Sequence, residues 1–103
     1  MNKVVINSCY GGFSLSKEAS EYLNERYNIG INIRFGFLPD GVSRHDWRLV
    51  EAVEKFGEDA SRSYSKLEIK EIESMVYRID EYDGFEIVVT PDLIDWVVIG
   101  DSK

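Results

Sequence analysis

The segment that most constrains the fold is residues 4–16, where an apolar strand passes through two adjacent glycines into the start of a helix. β-Branched residues at positions 4–6 favour a buried strand over residues 3–7. Gly11 and Gly12 reach backbone conformations that other residues avoid, which suits a tight loop. Because Ser16 is a good N-cap and Glu18 follows in the first turn, a helix is predicted over residues 17–27.

The hydrophobic period changes twice in the middle of the chain. Apolar residues alternate with polar residues or glycine over residues 29–37, which predicts a half-buried strand ended by a Pro-Asp-Gly turn. Helical spacing then predicts a second helix over residues 44–56, in which Ser43 and Asp46 resemble a capping box. Gly57 is expected to form a left-handed C-terminal cap.

The last third of the chain reads as strands after a loop at residues 58–65. Strands are predicted over three segments, residues 66–72, 75–82 and 85–90. The Asp-Gly pair between the last two is a strong hairpin signal. A single helical turn at residues 90–92 and a final strand over residues 96–99 complete the prediction.

This order of elements indicates an α+β fold in a single domain spanning residues 1–103. We expect two helices to pack on one face of a mostly antiparallel sheet of about five or six strands. An apolar content of 44 % with 13 % aromatic residues is typical of a folded globule.

Charge and composition argue against several classes of function. A net charge of −7 repels phosphate backbones, so direct nucleic-acid binding is not expected. One cysteine and one histidine predict no internal disulfide, no transition-metal site and no cofactor, and no calcium-loop motif is present. Since no stretch resembles a membrane span or a signal peptide, the expected location is the cytoplasm, without a membrane partner.

The loop that follows the first strand is the main candidate for a binding site. A strand-loop-helix arrangement presents backbone N–H groups to an anion, although the lysine of a phosphate-binding loop is missing. Turn formation and ligand contact both remain open for the two glycines. The candidate ligand- or partner-binding residues are Cys9, Tyr10, Gly11, Gly12, Phe13, Arg44, His45 and Tyr82.

Each of these residue types supports a particular kind of contact. Aromatic side chains and arginine dominate interface hot spots, and both stack on nucleotide bases. Arg44 could also pair with phosphate or carboxylate. Cys9 would need His45 as a base to act as a nucleophile, and scattered carboxylates could serve a hydrolase, but spacing selects no catalytic residue. The residues therefore favour binding of a ligand or partner over catalysis.

Four segments of the chain form a recognisable set of motifs: Val-Val-Ile-Asn-x-Cys-Tyr-Gly-Gly-Phe-x-Leu-Ser at 4–16, Leu-Val-Glu-Ala-Val-Glu-Lys-Phe-Gly-Glu-Asp-Ala-Ser at 49–61, Lys-Leu-Glu-Ile-Lys-Glu-Ile at 66–72 and Ile-Asp-Glu-Tyr-Asp-Gly-Phe-Glu at 79–86. In these motifs the chain resembles a family of small, uncharacterised proteins encoded by bacteriophages and prophages. The chain carries Ser8 where the pattern has arginine, and it departs from the pattern after Thr90.

The resemblance implies an accessory protein that acts on a bacterial host. Such a protein would inhibit a host or defence protein by direct contact, or sequester a nucleotide signal of a defence system. Independently of the resemblance, a third alternative is a purely structural or assembly module that forms oligomers through an exposed sheet edge, and a homo-oligomer is compatible with each alternative.

Overall fold

The computed structural model describes residues 2–91 and confirms the α+β class. The elements, in chain order, are β1 (Asn2–Asn7), α1 (Lys17–Tyr27), α2 (Trp47–Phe56), a 3-10 turn (Gly57–Ala60), β2 (Leu67–Ile72), β3 (Arg78–Tyr82) and β4 (Phe85–Val89). Within the described residues the strands form two antiparallel pairs, β1–β2 and β3–β4. The predicted sheet of five or six strands is therefore wrong.

β1 is the inner strand of the molecule. It pairs with β2 from Asn2 opposite Ile72 to Asn7 opposite Leu67. Val5 belongs to the apolar cluster formed with the helices, whereas Val4 and Ile6 are equally buried on the opposite face of the strand. A strand that is buried on both faces needs apolar residues at consecutive positions, which explains the β-branched run.

α1 has the predicted bounds because its signals are local. The Ser16 hydroxyl accepts the N–H of Ala19 at 3.1 Å, and Asn28 ends the helix in the left-handed conformation with φ 54°. Ala19 and Leu23 are fully buried in the shared core.

α2 begins at Trp47, later than predicted, because Asp46 and not Ser43 caps it. The Asp46 carboxylate accepts the backbone N–H of Arg48 at 2.9 Å. The Arg48 guanidinium bonds the same carboxylate, and its side-chain hydrogen bond lowers the pKa of Asp46. Gly57 has φ 57° but ψ −126°, so the chain does not form the predicted left-handed cap. It continues instead into a 3-10 turn that buries Ala60 within the predicted loop.

The strand predicted over residues 29–37 is absent from the structure. The Asn24 side chain accepts the N–H groups of Gly30 and Ile31 and donates to the Ile31 carbonyl. The Asn32 carbonyl then accepts the N–H of Gly36 at 2.6 Å, which closes a turn. These bonds satisfy the backbone locally, so the alternating pattern has no partner strand and ends in a loop.

The predicted hairpin is confirmed. Tyr82 pairs with Phe85 across the two-residue turn, in which Asp83 and Gly84 have φ of 50° and 89°. Positive φ at both central residues defines the turn that matches strand twist. The strand predicted at 96–99 and the end of the turn predicted at 90–92 lie outside the described residues. Over residues 2–91, no helix has the length and apolarity needed to cross a membrane.

Candidate functional site

Asn7 joins three segments at the end of β1. Its side chain is fully buried, and its Nδ2 donates to the carbonyl oxygens of Cys9 at 2.6 Å and Gly84 at 2.8 Å. Its Oδ1 accepts the backbone N–H of Lys66 at 2.8 Å. One amide therefore fixes the first loop, the hairpin turn and the start of β2 relative to each other.

A buried ion pair lies beside this amide. Both carboxylate oxygens of Glu86 accept from Arg44, at 2.6 Å and 2.8 Å, and one of them also accepts the backbone N–H of Asn7 at 2.8 Å. The Glu86 side chain is 8 % exposed and that of Arg44 is 22 % exposed. The bidentate geometry offsets the cost of removing both charges from water.

The same pair closes the outer edge of β1. The backbone N–H of Val5 donates to the Arg44 carbonyl at 2.8 Å, and the Arg44 guanidinium donates to the Val5 carbonyl at 3.3 Å. The backbone and side chain of Arg44 thus occupy the groups of Val5 that another strand would otherwise pair. The guanidinium also lies 3.9 Å from the centre of the Phe13 ring. Its charge is therefore directed into the fold and not towards solvent.

Two glycines allow close approach around the first loop. A Cβ at Gly11 would collide with the carbonyl oxygen of Tyr64, and one at Gly84 would collide with the carbonyl oxygen of Tyr10 and lie 2.5 Å from the N atom of Gly12. Gly12 has space around it and is required only for its φ of 93°. Because Gly84 sits against this backbone, the loop is a docking point for the hairpin.

An exposed aromatic surface results from this docking. The Tyr10 and Phe85 rings lie 5.3 Å apart, and Tyr82 pairs with Phe85 across the hairpin. Ile87 projects from the same face of β4 as Phe85, since side chains alternate along a strand. We refer to Tyr10, Tyr82, Phe85 and Ile87 as the hairpin-tip patch. Tyr10, Tyr82 and Ile87 are 64 %, 78 % and 51 % exposed.

Charged residues border the hairpin-tip patch. Asp80, Glu81 and Asp83 are all exposed and lie on β3 or in its turn. Arg78 pairs with Asp80 at 3.0 Å, while the Glu81 carboxylate accepts the N–H of Gly84 at 2.5 Å. Because Glu81 lies opposite Glu86, it belongs to the other face of the hairpin, and Lys66 and Lys70 line a groove beside Phe85 and Ile87. The patch is therefore apolar at its centre, with Asp80 and Asp83 at the hairpin and lysines on the side that faces β2.

Cys9 and His45 lie at opposite ends of β1. Cys9 follows the strand and is half-buried, whereas His45 lines a cleft with Asn2 and Lys3. The His45 Nδ1 is 2.7 Å from the Tyr77 hydroxyl. With about 3.3 Å of rise per residue, the strand keeps the thiol and the imidazole too far apart for proton transfer. The structure does not bring these two predicted site residues together.

A second aromatic surface was missed in the sequence because its residues had been assigned to a strand. The Phe35 and Phe37 rings stack 5.5 Å apart, and Arg34 lies 5.2 Å from the centre of Phe35. Ile33 and Tyr64 complete this surface, which we call the Phe35 surface; its four apolar members are 41 % to 54 % exposed. Gly30 and Gly36, which both have positive φ, were the sequence signal for a loop.

Of the eight predicted site residues, the structure places all but His45 around the hairpin turn; the carbonyl of Cys9 shares the Asn7 amide with that of Gly84. Tyr10 and Tyr82 are exposed there, Phe13 and Arg44 stack on each other, and Gly11 and Gly12 shape the loop. The fold-critical Asn7 and Glu86 were not predicted as part of it. Within residues 2–91, no group of three or more His, Cys, Asp or Glu residues is arranged to hold a metal ion.

Comparison of the chain with models of known protein families, with curated proteins and with solved structures finds no match. The resemblance to phage-encoded proteins therefore stays a prediction, and functional inference depends on the geometry of the site.

Proposed function

We propose that this chain is a non-enzymatic binding protein that contacts another protein through the hairpin-tip patch. The observation that carries the proposal is the exposure of Tyr10 and Tyr82 on a rigidly docked hairpin, at 64 % and 78 %. Tyrosines in a preorganised surface lose little conformational freedom on binding and are frequent hot spots.

The charge around the patch specifies the partner further. Asp80 and Asp83 place negative charge beside the patch, in a chain of net charge −7. A partner with a basic surface around an apolar recess would be attracted at long range and then bury the aromatic rings. Following the resemblance stated above, we propose that this partner is a protein of a bacterial host or its defence system, which the chain inhibits by occupying its basic site.

The proposal is tested by quantitative cross-linking and affinity purification from a bacterial host. We expect Tyr10→Ser with Tyr82→Ser to remove a partner that the wild type retains, without a change in Tm. Phe37→Ser, at an exposed ring of the Phe35 surface, is the matched control and should retain that partner. Equal recovery with the double variant and the control would exclude the hairpin-tip patch.

A second candidate is sequestration of a nucleotide signal, and the Phe35 surface favours it. Stacked Phe35 and Phe37 rings with Arg34 beside them offer a platform for a base and a cation for a phosphate. By contrast, the predicted Arg44 is already engaged by Glu86.

A thermal-shift screen with cyclic and linear nucleotides separates the two candidates. A nucleotide at a hundredfold excess over its Kd should stabilise the fold by about 2.7 kcal/mol. Loss of that stabilisation in Phe35→Ser, but not in Tyr82→Ser, would support sequestration. Absence of a shift with any nucleotide would leave protein contact as the better proposal.

A further inference from the structure

Strand β2 has one edge that is not paired with β1. The N–H of Ser8 donates to the Lys66 carbonyl at 2.8 Å, so the even-numbered residues of β2 are the ones that bond β1. The backbone groups of Leu67, Ile69 and Glu71 therefore point away from β1. Of these groups, only the N–H of Leu67 has a partner within residues 2–91, the Ser61 hydroxyl at 2.8 Å.

We propose that two copies of this chain pair through β2, antiparallel, about a twofold axis at Ile69. The result is a four-stranded sheet in the order β1–β2–β2–β1 across the dimer. A contact between identical surfaces closes after two copies, which a twofold axis requires. It also extends a two-stranded sheet, a form that is only marginally stable alone.

The charges of β2 select this register. With Ile69 opposite Ile69, Glu68 of each copy faces Lys70 of the other. Moving the axis to Glu68 or to Lys70 would place identical charges opposite each other, and moving it to Glu71 would oppose two glutamates. Moving the axis to Leu67 would also bring opposite charges together, Lys66 and Glu68, but the N–H of Leu67 is already bonded to Ser61 and could not form the central hydrogen bonds. Charged residues on an edge strand usually prevent pairing; here they oppose it in three registers and favour it at Ile69.

The backbone groups agree with the same register. Ile69 is an outward-pointing residue, so the central pair exchanges two hydrogen bonds across the axis. The N–H of Glu71 then reaches the carbonyl of Leu67 in the other copy, once at each end. This pairing leaves the bond between Leu67 and Ser61 intact.

Apolar surface beside the edge adds to the contact. A groove of about 700 Å³ runs along it and is lined by Val53, Leu67 and Ile69, among others. Ile69 is half-buried against the core and would meet its own copy about 5.5 Å away, measured between Cα atoms.

Sedimentation equilibrium of the full-length chain tests the proposal. We expect a species of twice the single-chain mass of 11.9 kDa that dissociates on dilution. Glu68→Lys should weaken the dimer by about tenfold, because each copy contributes one new like-charge pair. The double variant Glu68→Lys with Lys70→Glu restores opposite charges in the proposed register and should return the dissociation constant to within about threefold of wild type.

Two comparisons keep the test specific. The single and double variants both lose the hydrogen bond from Ser8 to Glu68, but the double variant also restores opposite charges at positions 68 and 70 within each copy, whose side chains lie 3.6 Å apart in the wild type. Urea denaturation of each variant therefore accompanies the measurement, and a difference in dissociation constant between equally stable variants reports the cross-strand charges. Glu71→Lys changes the net charge equally but faces Leu67, and it should leave the dimer unchanged. A monomer at every concentration would overturn the proposal, as would a folded charge-swapped variant that fails to dimerise.

Discussion

An ion pair lies at each end of β1, and the two pairs differ in how far they are buried. Arg44 and Glu86 lie 2.6 Å apart at 22 % and 8 % exposure, whereas Lys3 and Glu54 lie 2.7 Å apart at 40 % and 49 % exposure. The distances are nearly equal, so distance does not distinguish the pairs. Burial distinguishes them, because removing one partner of the Arg44–Glu86 pair leaves a charge that water cannot fully solvate.

Removing the carboxylate of the buried pair should give the largest effect. Glu86→Leu leaves the Arg44 charge uncompensated and the N–H of Asn7 without its acceptor. We expect a loss of about 3–5 kcal/mol in the free energy of unfolding, measured by urea denaturation. The double variant Arg44→Met with Glu86→Leu should recover most of this loss. A single variant costing under about 1 kcal/mol would contradict the comparison.

Gly84→Ala tests whether close backbone approach secures the buried end. Alanine at this position would have to adopt a φ of 89°, and its Cβ would collide with the backbone of the first loop. We therefore expect a loss of about 2 kcal/mol in the free energy of unfolding. Gly12→Ala is the matched control, since its φ is 93° but its surroundings are open. The control should cost about 1 kcal/mol. Equal losses would show that backbone conformation alone matters at Gly84.

Ser20 offers a third environment, in which a polar group is buried without a partner. Its hydroxyl is fully buried in α1 and has no hydrogen bond within the described residues. Ser20→Ala removes this unsatisfied group and introduces the best helix former, so we expect a gain of about 1 kcal/mol by the same denaturation assay. A loss of stability would indicate that the hydroxyl has a role in packing.

The exposed pair should show the smallest effect. Lys3→Met keeps the aliphatic stem and should leave the unfolding midpoint in neutral buffer unchanged within error. The hydrogen bond that the Lys3 ammonium donates to the Glu54 carboxylate raises the pKa of Lys3. A raised pKa means that any stabilisation is complete below the unfolded-state pKa and is lost as pH rises through the folded-state pKa. The wild type and Lys3→Met should therefore have coincident midpoints in neutral buffer, and raising the pH should not separate them, as followed by circular dichroism.

Local signals were sufficient for α1 and for the β3–β4 hairpin. Ser16 caps the helix from its own first turn, and Asp83 with Gly84 forms a turn between adjacent strands. Both depend on residues that are close in sequence. The same reasoning failed at residues 29–37. Alternation of apolar and polar residues predicts a strand there, but it does not show whether a second strand is available to pair with it. Asn24, within α1, satisfied that backbone instead.

The candidate site was predicted only in part for a related reason. Tyr10 and Tyr82 could be proposed as exposed aromatics from residue type alone. Asn7 and Glu86 could not, because a polar residue within an apolar run gives no sign of a partner 79 positions away. Residue type also suggested a binding role for Arg44, and only the fold shows that its guanidinium is held by Glu86.

The contacts of Asn7 also bear on the order in which the chain folds. The β3–β4 hairpin closes over two residues and can form on its own in about 1–10 μs. Its attachment to β1 requires contacts between residues 77 and 79 positions apart. Closing such a long loop costs conformational entropy before any of those hydrogen bonds form. Hairpin docking should therefore be a late step, and variants at Glu86 should accelerate unfolding more than they slow folding.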